Sequence, residues 1–140
     1  MKVGTVYRPE AAYVTRAESL RKAAQKMRGS GQSCLPVLDD GSLAGIITER
    51  DLVEAVANGV PASEGSVLDY MNDGSISVGL EDECEVAQLK MLAIGCRNLP
   101  VVHEDKLVGM VSMRDVLLRV AAYEAFRQLH KPARGKPVPV

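Results

Sequence analysis

The sequence predicts an α/β fold of the mixed α+β kind, in which one β-α-β-β-α unit occurs twice. Three observations carry that reading. Shifting the chain by 64 positions superposes residues 3–57 on 67–121 without a gap. The coincidences fall on residues with narrow conformational or chemical roles: Leu35-Pro36-Val37 on Leu99-Pro100-Val101, Gly45 on Gly109, Arg50-Asp51 on Arg114-Asp115. Between the copies, residues 58–66 form a Gly/Pro/Ser-rich linker, the composition of a connection rather than an element.

The elements follow in order. A short apolar stretch opens each copy, Ala12-Tyr13-Val14 and Ser75-Ile76-Ser77-Val78, the second with strand-like alternation. Acids that favour a helix N-terminus come next, Glu18-Ser19 and Glu81-Asp82-Glu83. Amphipathic helices are expected over 20–28 and 84–94, with Val86, Leu89, Ala93 and Ile94 as the apolar face of the second. Gly29, Gly31 and Gly95 are expected to end them, since glycine enters the left-handed region at little cost. Two strands then form a hairpin, 35–38 with 43–48 and 99–102 with 107–112, closed by polar turns at 39–42 and 103–106. Thr48 and Ser112 are suited to cap the last helix of each copy. Gly59 and Pro61 stop the first of these, whereas the second continues through Tyr123, Phe126 and Leu129.

A unit of about 60 residues leaves much of its apolar surface wet. The two copies are therefore expected to pack sheet to sheet about a pseudo-twofold axis, with two symmetry-matched clefts where they meet. The boundaries read as 1–60 for the first repeat with its lead-in and 61–74 for the linker and second lead-in. The second repeat takes 75–130, and a Pro-rich basic tail, expected to be disordered, takes 131–140.

Composition narrows the function. The chain is 46% hydrophobic and 25% charged, with a net charge of −1, so no overall field draws it to nucleic acid or an anionic membrane. No stretch reads as a signal peptide or a membrane span. Cys34, Cys84 and Cys96 form no CxxC, and His103 and His130 are the only histidines. Free thiols in a reducing cytoplasm fit better than zinc or disulfides. No nucleophile–base set, P-loop or metal-ligand spacing appears, which argues against an enzyme.

Chemistry concentrates in two matched tetrapeptides, Thr48-Glu49-Arg50-Asp51 and Ser112-Met113-Arg114-Asp115. Each follows an apolar strand and opens a helix, whose free N–H groups attract anions. Arginine can fork two hydrogen bonds onto phosphate, and aspartate can accept both hydroxyls of a ribose. Either tetrapeptide alone reads most simply as a helix cap with solvated charges. Its occurrence twice, at equivalent places beside one expected cleft, points to binding of a nucleoside phosphate.

With the Leu-Pro-Val strand starts and the steps Gly45-Ile46-Ile47 and Gly109-Met110-Val111, these tetrapeptides resemble the cystathionine-β-synthase (CBS) domain, two of which in tandem form a Bateman module. Val67-Leu68-Asp69-Tyr70-Met71-Asn72 resembles the lead-in that precedes many such repeats. The resemblance implies regulatory binding of AMP, ADP, ATP or S-adenosylmethionine, with Asp51 and Asp115 on ribose and the hydroxyls and arginines on phosphate. It implies one site of Thr48, Arg50, Asp51, Ser77, Val78, Arg97, Asn98 and Leu99. Its counterpart would join Tyr13, Val14, Ser33, Cys34, Leu35, Ser112, Arg114 and Asp115, with Val14 or Val78 against the base. Arg97 favours the first site for a charged nucleotide; Tyr13 either stacks on a base in the second or fills it. In place of the family's Pro-Asp after the first strand stand Arg16-Ala17 and Leu80-Glu81.

The function these features imply is an adenine-nucleotide-sensing module that signals to an unidentified protein by a change of shape or dimer geometry. A ligand-independent dimeric scaffold is the alternative. Val120, Tyr123, Phe126 and Leu129 beyond the repeat point to a homodimer, unless the extension folds back on its own monomer.

Overall fold

The computed structural model describes residues 1–73 and 76–131. Ser75, expected in the first strand of the second copy, and the tail beyond Lys131 lie outside the described residues. A 3-10 turn (Val3–Thr5) leads into β1 (Val14–Thr15), α1 (Leu20–Ser30), β2 (Cys34–Asp39), β3 (Ser42–Thr48) and α2 (Glu49–Ala57). The second copy repeats the order with α3 (Val67–Tyr70), β4 (Asn72–Asp73), β5 (Val78–Gly79), α4 (Cys84–Ile94), β6 (Asn98–His103), β7 (Lys106–Ser112) and α5 (Met113–Leu129).

The local signals act as their chemistry requires. The Thr48 and Ser112 hydroxyls accept from the N–H of Asp51 and Asp115 and cap α2 and α5. The hairpin loops Asp40-Gly41 and Glu104-Asp105 hold positive φ at both central residues, the geometry that matches strand twist. Gly31 (φ 74°) and Gly95 (φ 77°) end α1 and α4; Gly29 sits inside α1 and ends nothing. The first strands are shorter than expected: only Val14–Thr15 and Val78–Gly79 pair, each parallel to the middle strand of its copy.

One expected face is largely wrong, since of Val86, Leu89, Ala93 and Ile94 only Ile94 packs against the core. The buried stripe of α4 is Cys84, Ala87 and Met91, whereas Val86 and Leu89 are exposed, as is Leu92. Because α4 is apolar on both sides, hydrophobic period cannot choose between its faces. The repeat register can, since Leu20, Ala23 and Met27 fill the same stripe in α1.

The strand order β1-β2-β3-β7-β6-β5 is palindromic about the centre. The copies were expected as two facing sheets; they are also joined into one, through the single pair Ser42↔Lys106 at the hairpin ends. That pair occupies backbone groups that an open edge would leave unpaired. Two aliphatic cores lie on either side of the junction. The larger takes Cys34 and Ile46 from the first copy with Leu99, Val101, Met110 and Val111 from the second.

The lead-ins are exchanged. Val3 is fully buried in the core of the second copy, its N–H bonded to the Asp82 carbonyl, and Arg8 exchanges two backbone bonds with Met110. Reciprocally, Val67 enters the core of the first copy, and β4 pairs with β3 at Gly45↔Asp73 and Ile46↔Asn72. The glycines repeated at 45 and 109 make this crossing possible. A Cβ at Gly45 would strike the Asn72 carbonyl, and one at Gly109 the Arg8 carbonyl. Among the described residues, no helix is long and apolar enough to cross a membrane.

Candidate functional site

The register of β6 and β7 decides which residues share a site. Asn98 pairs with Ser112, so the turn before β6 lies beside the start of α5 in its own copy. A cleft of about 1300 Å³ opens there, with Ser112, Met113, Arg114 and Asp115 on one wall and Ser30 to Ser33 on another. The segment Arg8 to Ala12, running from the exchanged lead-in toward β1, and Arg97 with Asn98 complete it.

At its base the two copies meet through buried polar groups. Asn98 and Ser33 are only 5% and 4% exposed. The Asn98 Oδ1 accepts from the Ser33 N–H at 3.2 Å and from its hydroxyl at 2.7 Å. The Ser33 Oγ in turn accepts from the Arg97 N–H at 3.0 Å. A backbone N–H can only donate, so the carboxamide oxygen must face Ser33 and Nδ2 must point away. Nδ2 makes no hydrogen bond among the described residues, yet none of their buried polar side-chain atoms lacks a partner. It therefore opens onto the cleft as a donor. Gln32 stiffens the neighbouring wall by bonding the Ala12 N–H and carbonyl through its own amide, at 2.8 and 3.1 Å.

Asp115 is gripped from outside its own copy. Arg8 donates through Nε to Oδ2 at 2.6 Å and through Nη2 to Oδ1 at 3.0 Å. The guanidinium holds Asp115 below the ordinary carboxylate range, and Asp115 raises Arg8 in return. A lowered carboxylate contributes stability above its unfolded pKa and loses it as pH falls through the folded value. The pair is thus intact at neutral pH and parts only in acid below the usual range for aspartate.

The equivalent position in the first copy is built differently. The Asp51 Oδ2 accepts from the Thr48 N–H at 2.7 Å, the Thr48 hydroxyl at 2.9 Å and Asn72 Nδ2 at 3.1 Å. Asp51 thereby closes a capping box on its own helix. Arg50 lies against Gly95, where a Cβ would meet its guanidinium, and Arg97 forms an exposed ion pair with Glu49 at 3.3 Å.

The structure regroups the residues named from sequence. Ser33, Ser112, Arg114 and Asp115 line one cleft, together with Arg97 and Asn98, which had been assigned to the other set. Hairpin pairing ties the start of β6 to its own tetrapeptide, while the Arg97 guanidinium reaches back to Glu49 of the other. Val14, Cys34, Leu35, Val78 and Leu99 are core residues, at most 2% exposed. Tyr13 is not among the cleft-lining residues; its carbonyl accepts from Lys26 Nζ, which lies 5.5 Å from the ring centroid. The Ser77 carbonyl accepts from Lys90 in the same way. Arg8, Glu10, Ala11, Ala12, Gln32 and Leu118 enter the site without having been foreseen.

Known proteins resemble this chain in sequence or in fold. An uncharacterised protein of Methanopyrus kandleri is 34% identical over 120 residues, covering 84% of this chain, which spans 61% of that protein's length. The protein YlbB of Bacillus subtilis is 31% identical over 120 residues, 84% of this chain and 80% of its own. The CBS domain pair of protein MJ0100, solved with 5′-methylthioadenosine and S-adenosyl-L-methionine, superposes with a TM-score of 0.72 at 22% identity. That match covers 88% of this chain and 98% of the other. The family model for the CBS domain matches residues 3–58 and again 67–122. The chain belongs to the CBS domain family and carries two such domains in tandem.

Proposed function

We propose that this chain is a regulatory module that binds an adenosine-containing ligand, an adenine nucleotide or S-adenosylmethionine, in the Asp115 cleft. It relays occupancy to another protein without catalysing a reaction itself. The observation that carries the reading is the cleft's composition at the junction of the copies. A capping hydroxyl, Arg114 and Asp115 stand beside the open Nδ2 of Asn98, the donors and acceptor suited to phosphate and sugar. The neighbour solved with 5′-methylthioadenosine and S-adenosyl-L-methionine supports the ligand class through likeness of fold. Because walls of the cleft come from both copies, a ligand that binds one relative arrangement better shifts the population toward it.

Calorimetric titration with AMP, ADP, ATP and S-adenosylmethionine tests this. At least one should bind, and Asp115→Ala should weaken it by about tenfold or more, the usual cost of losing hydrogen bonds to a charged group. Asp51→Ala should leave that affinity in place. Absence of both heat and thermal stabilisation with all four would refute the reading.

A homodimer built on α5 belongs to the same proposal. Val120, Tyr123, Phe126 and Leu129 are exposed, and Leu89 and Leu92 on α4 add to the apolar surface left open. Monomeric proteins seldom leave large contiguous apolar patches uncovered.

A further inference from the structure

We infer that Arg8 sets the charge class of the ligand, selecting anionic nucleotides over uncharged nucleosides. The inference rests on the adenosine-ligand reading of the Asp115 cleft and adds a residue that lies outside the repeated tetrapeptide. Its side-on grip takes one bond at each Asp115 oxygen, at 2.6 and 3.0 Å. A ribose diol seeks those same two oxygens. An entering nucleoside must therefore compete with a guanidinium for its anchor, and an uncharged one gives that guanidinium nothing in return. A 5′-nucleotide carries a phosphate on the same sugar as the diol, to which the displaced guanidinium on its long flexible stem can transfer.

The surroundings favour this exchange. Arg97 and Arg114 line the same cleft as Arg8, with the carboxylates of Glu10 and Asp115, and Glu49 pairs with Arg97 from outside it. Arg8 is also free to move, because its side chain is 71% exposed while that of Asp115 is 15% exposed. The pseudo-equivalent contact lacks such a device. Asn72, which occupies the place of Arg8 in the other lead-in, is neutral and gives Asp51 one bond at 3.1 Å.

The test is titration of the full chain and of Arg8→Gln with adenosine and with AMP, at low and at moderate salt. An exposed ion pair is worth about two- to fivefold in an equilibrium. Adenosine should bind Arg8→Gln about two- to fivefold more tightly than the unaltered chain, whereas AMP, which exchanges one exposed pair for another, should change less, so that the preference for AMP falls. Salt screens an exposed pair, so raising it should tighten adenosine on the unaltered chain and leave adenosine on Arg8→Gln unchanged. Arg8→Lys, which keeps the charge, should retain the preference for AMP. If the ratio of AMP to adenosine affinity is the same in Arg8→Gln as in the unaltered chain, Arg8 does not select by charge. If neither ligand binds the unaltered chain, the adenosine reading falls, and this inference with it.

Discussion

Cys34 and Cys96 illustrate how the junction between the copies alters ordinary side-chain chemistry. Cys96 is held down to about 7, chiefly by the neighbouring Cys34 thiol, while burial works in the other direction; its Sγ donates to the Asn98 carbonyl at 3.2 Å. Cys34 is raised well above a normal thiol by Cys96 beside it and by burial, and Cys84 is raised by burial. The exposures run in step, at 7% for Cys96, 2% for Cys84 and 0% for Cys34. Thiolate is the reactive form, so iodoacetamide should modify Cys96 first in the native protein. Its rate should climb less steeply from pH 7 to 8.5 than that of an unperturbed thiol. Peptide mass spectrometry at the two pH values reads this directly; a steep rise at Cys96 would contradict the lowered value. Nothing in the spacing of the three cysteines announces the pair, because it depends on which residues flank the contact of Ser33 with Arg97 and Asn98.

At the scale of elements, the sequence was most legible where one backbone device decides the outcome. Thr48 and Ser112 as caps, Gly31 and Gly95 as stops, and the Asp40-Gly41 turn are each enforced by local hydrogen bonding or φ. The outward faces of the helices were harder to read, since an apolar residue signals burial whether the cover lies in the same chain or elsewhere. In α5, Val116 is fully buried whereas Val120 is 43% and Tyr123 62% exposed, so the stripe runs off the body of the protein. If a second copy covers it, Tyr123→Glu with Phe126→Glu should convert a dimer to a monomer in sedimentation velocity, with little change in thermal stability. A monomer before substitution would exclude that cover. The site was legible in part for a related reason. Ser112, Arg114 and Asp115 share one helix start, but grouping them with Arg97 and Asn98 required counting the hairpin register from Asn98 to Ser112.

At the scale of the whole molecule, the 64-residue period suggests two units laid end to end, and the backbone shows them interlaced. A repeat alignment places Val3 on Val67 but does not say whose core either one fills. Each fills that of the other copy. Val3→Ala should therefore cost about 2 kcal/mol. In hydrogen exchange it should loosen amides of α4 and β5 more than those of α1 and β1. Greater loosening of α1 would mean that the lead-in stays with its own copy. The exchange also bears on the order in which the protein can come into being. Residues leave the ribosome from the N-terminus at about 5–20 per second, yet Arg8 finds Asp115 only 107 positions later. The segment from Val3 to Arg8 must wait for the second copy before its contacts can form. The first copy cannot close before Val67 arrives to fill its core. Completion thus comes in two steps, the first core once Val67 has emerged and the second only after Val116, and a nascent chain halted between the copies holds neither core complete.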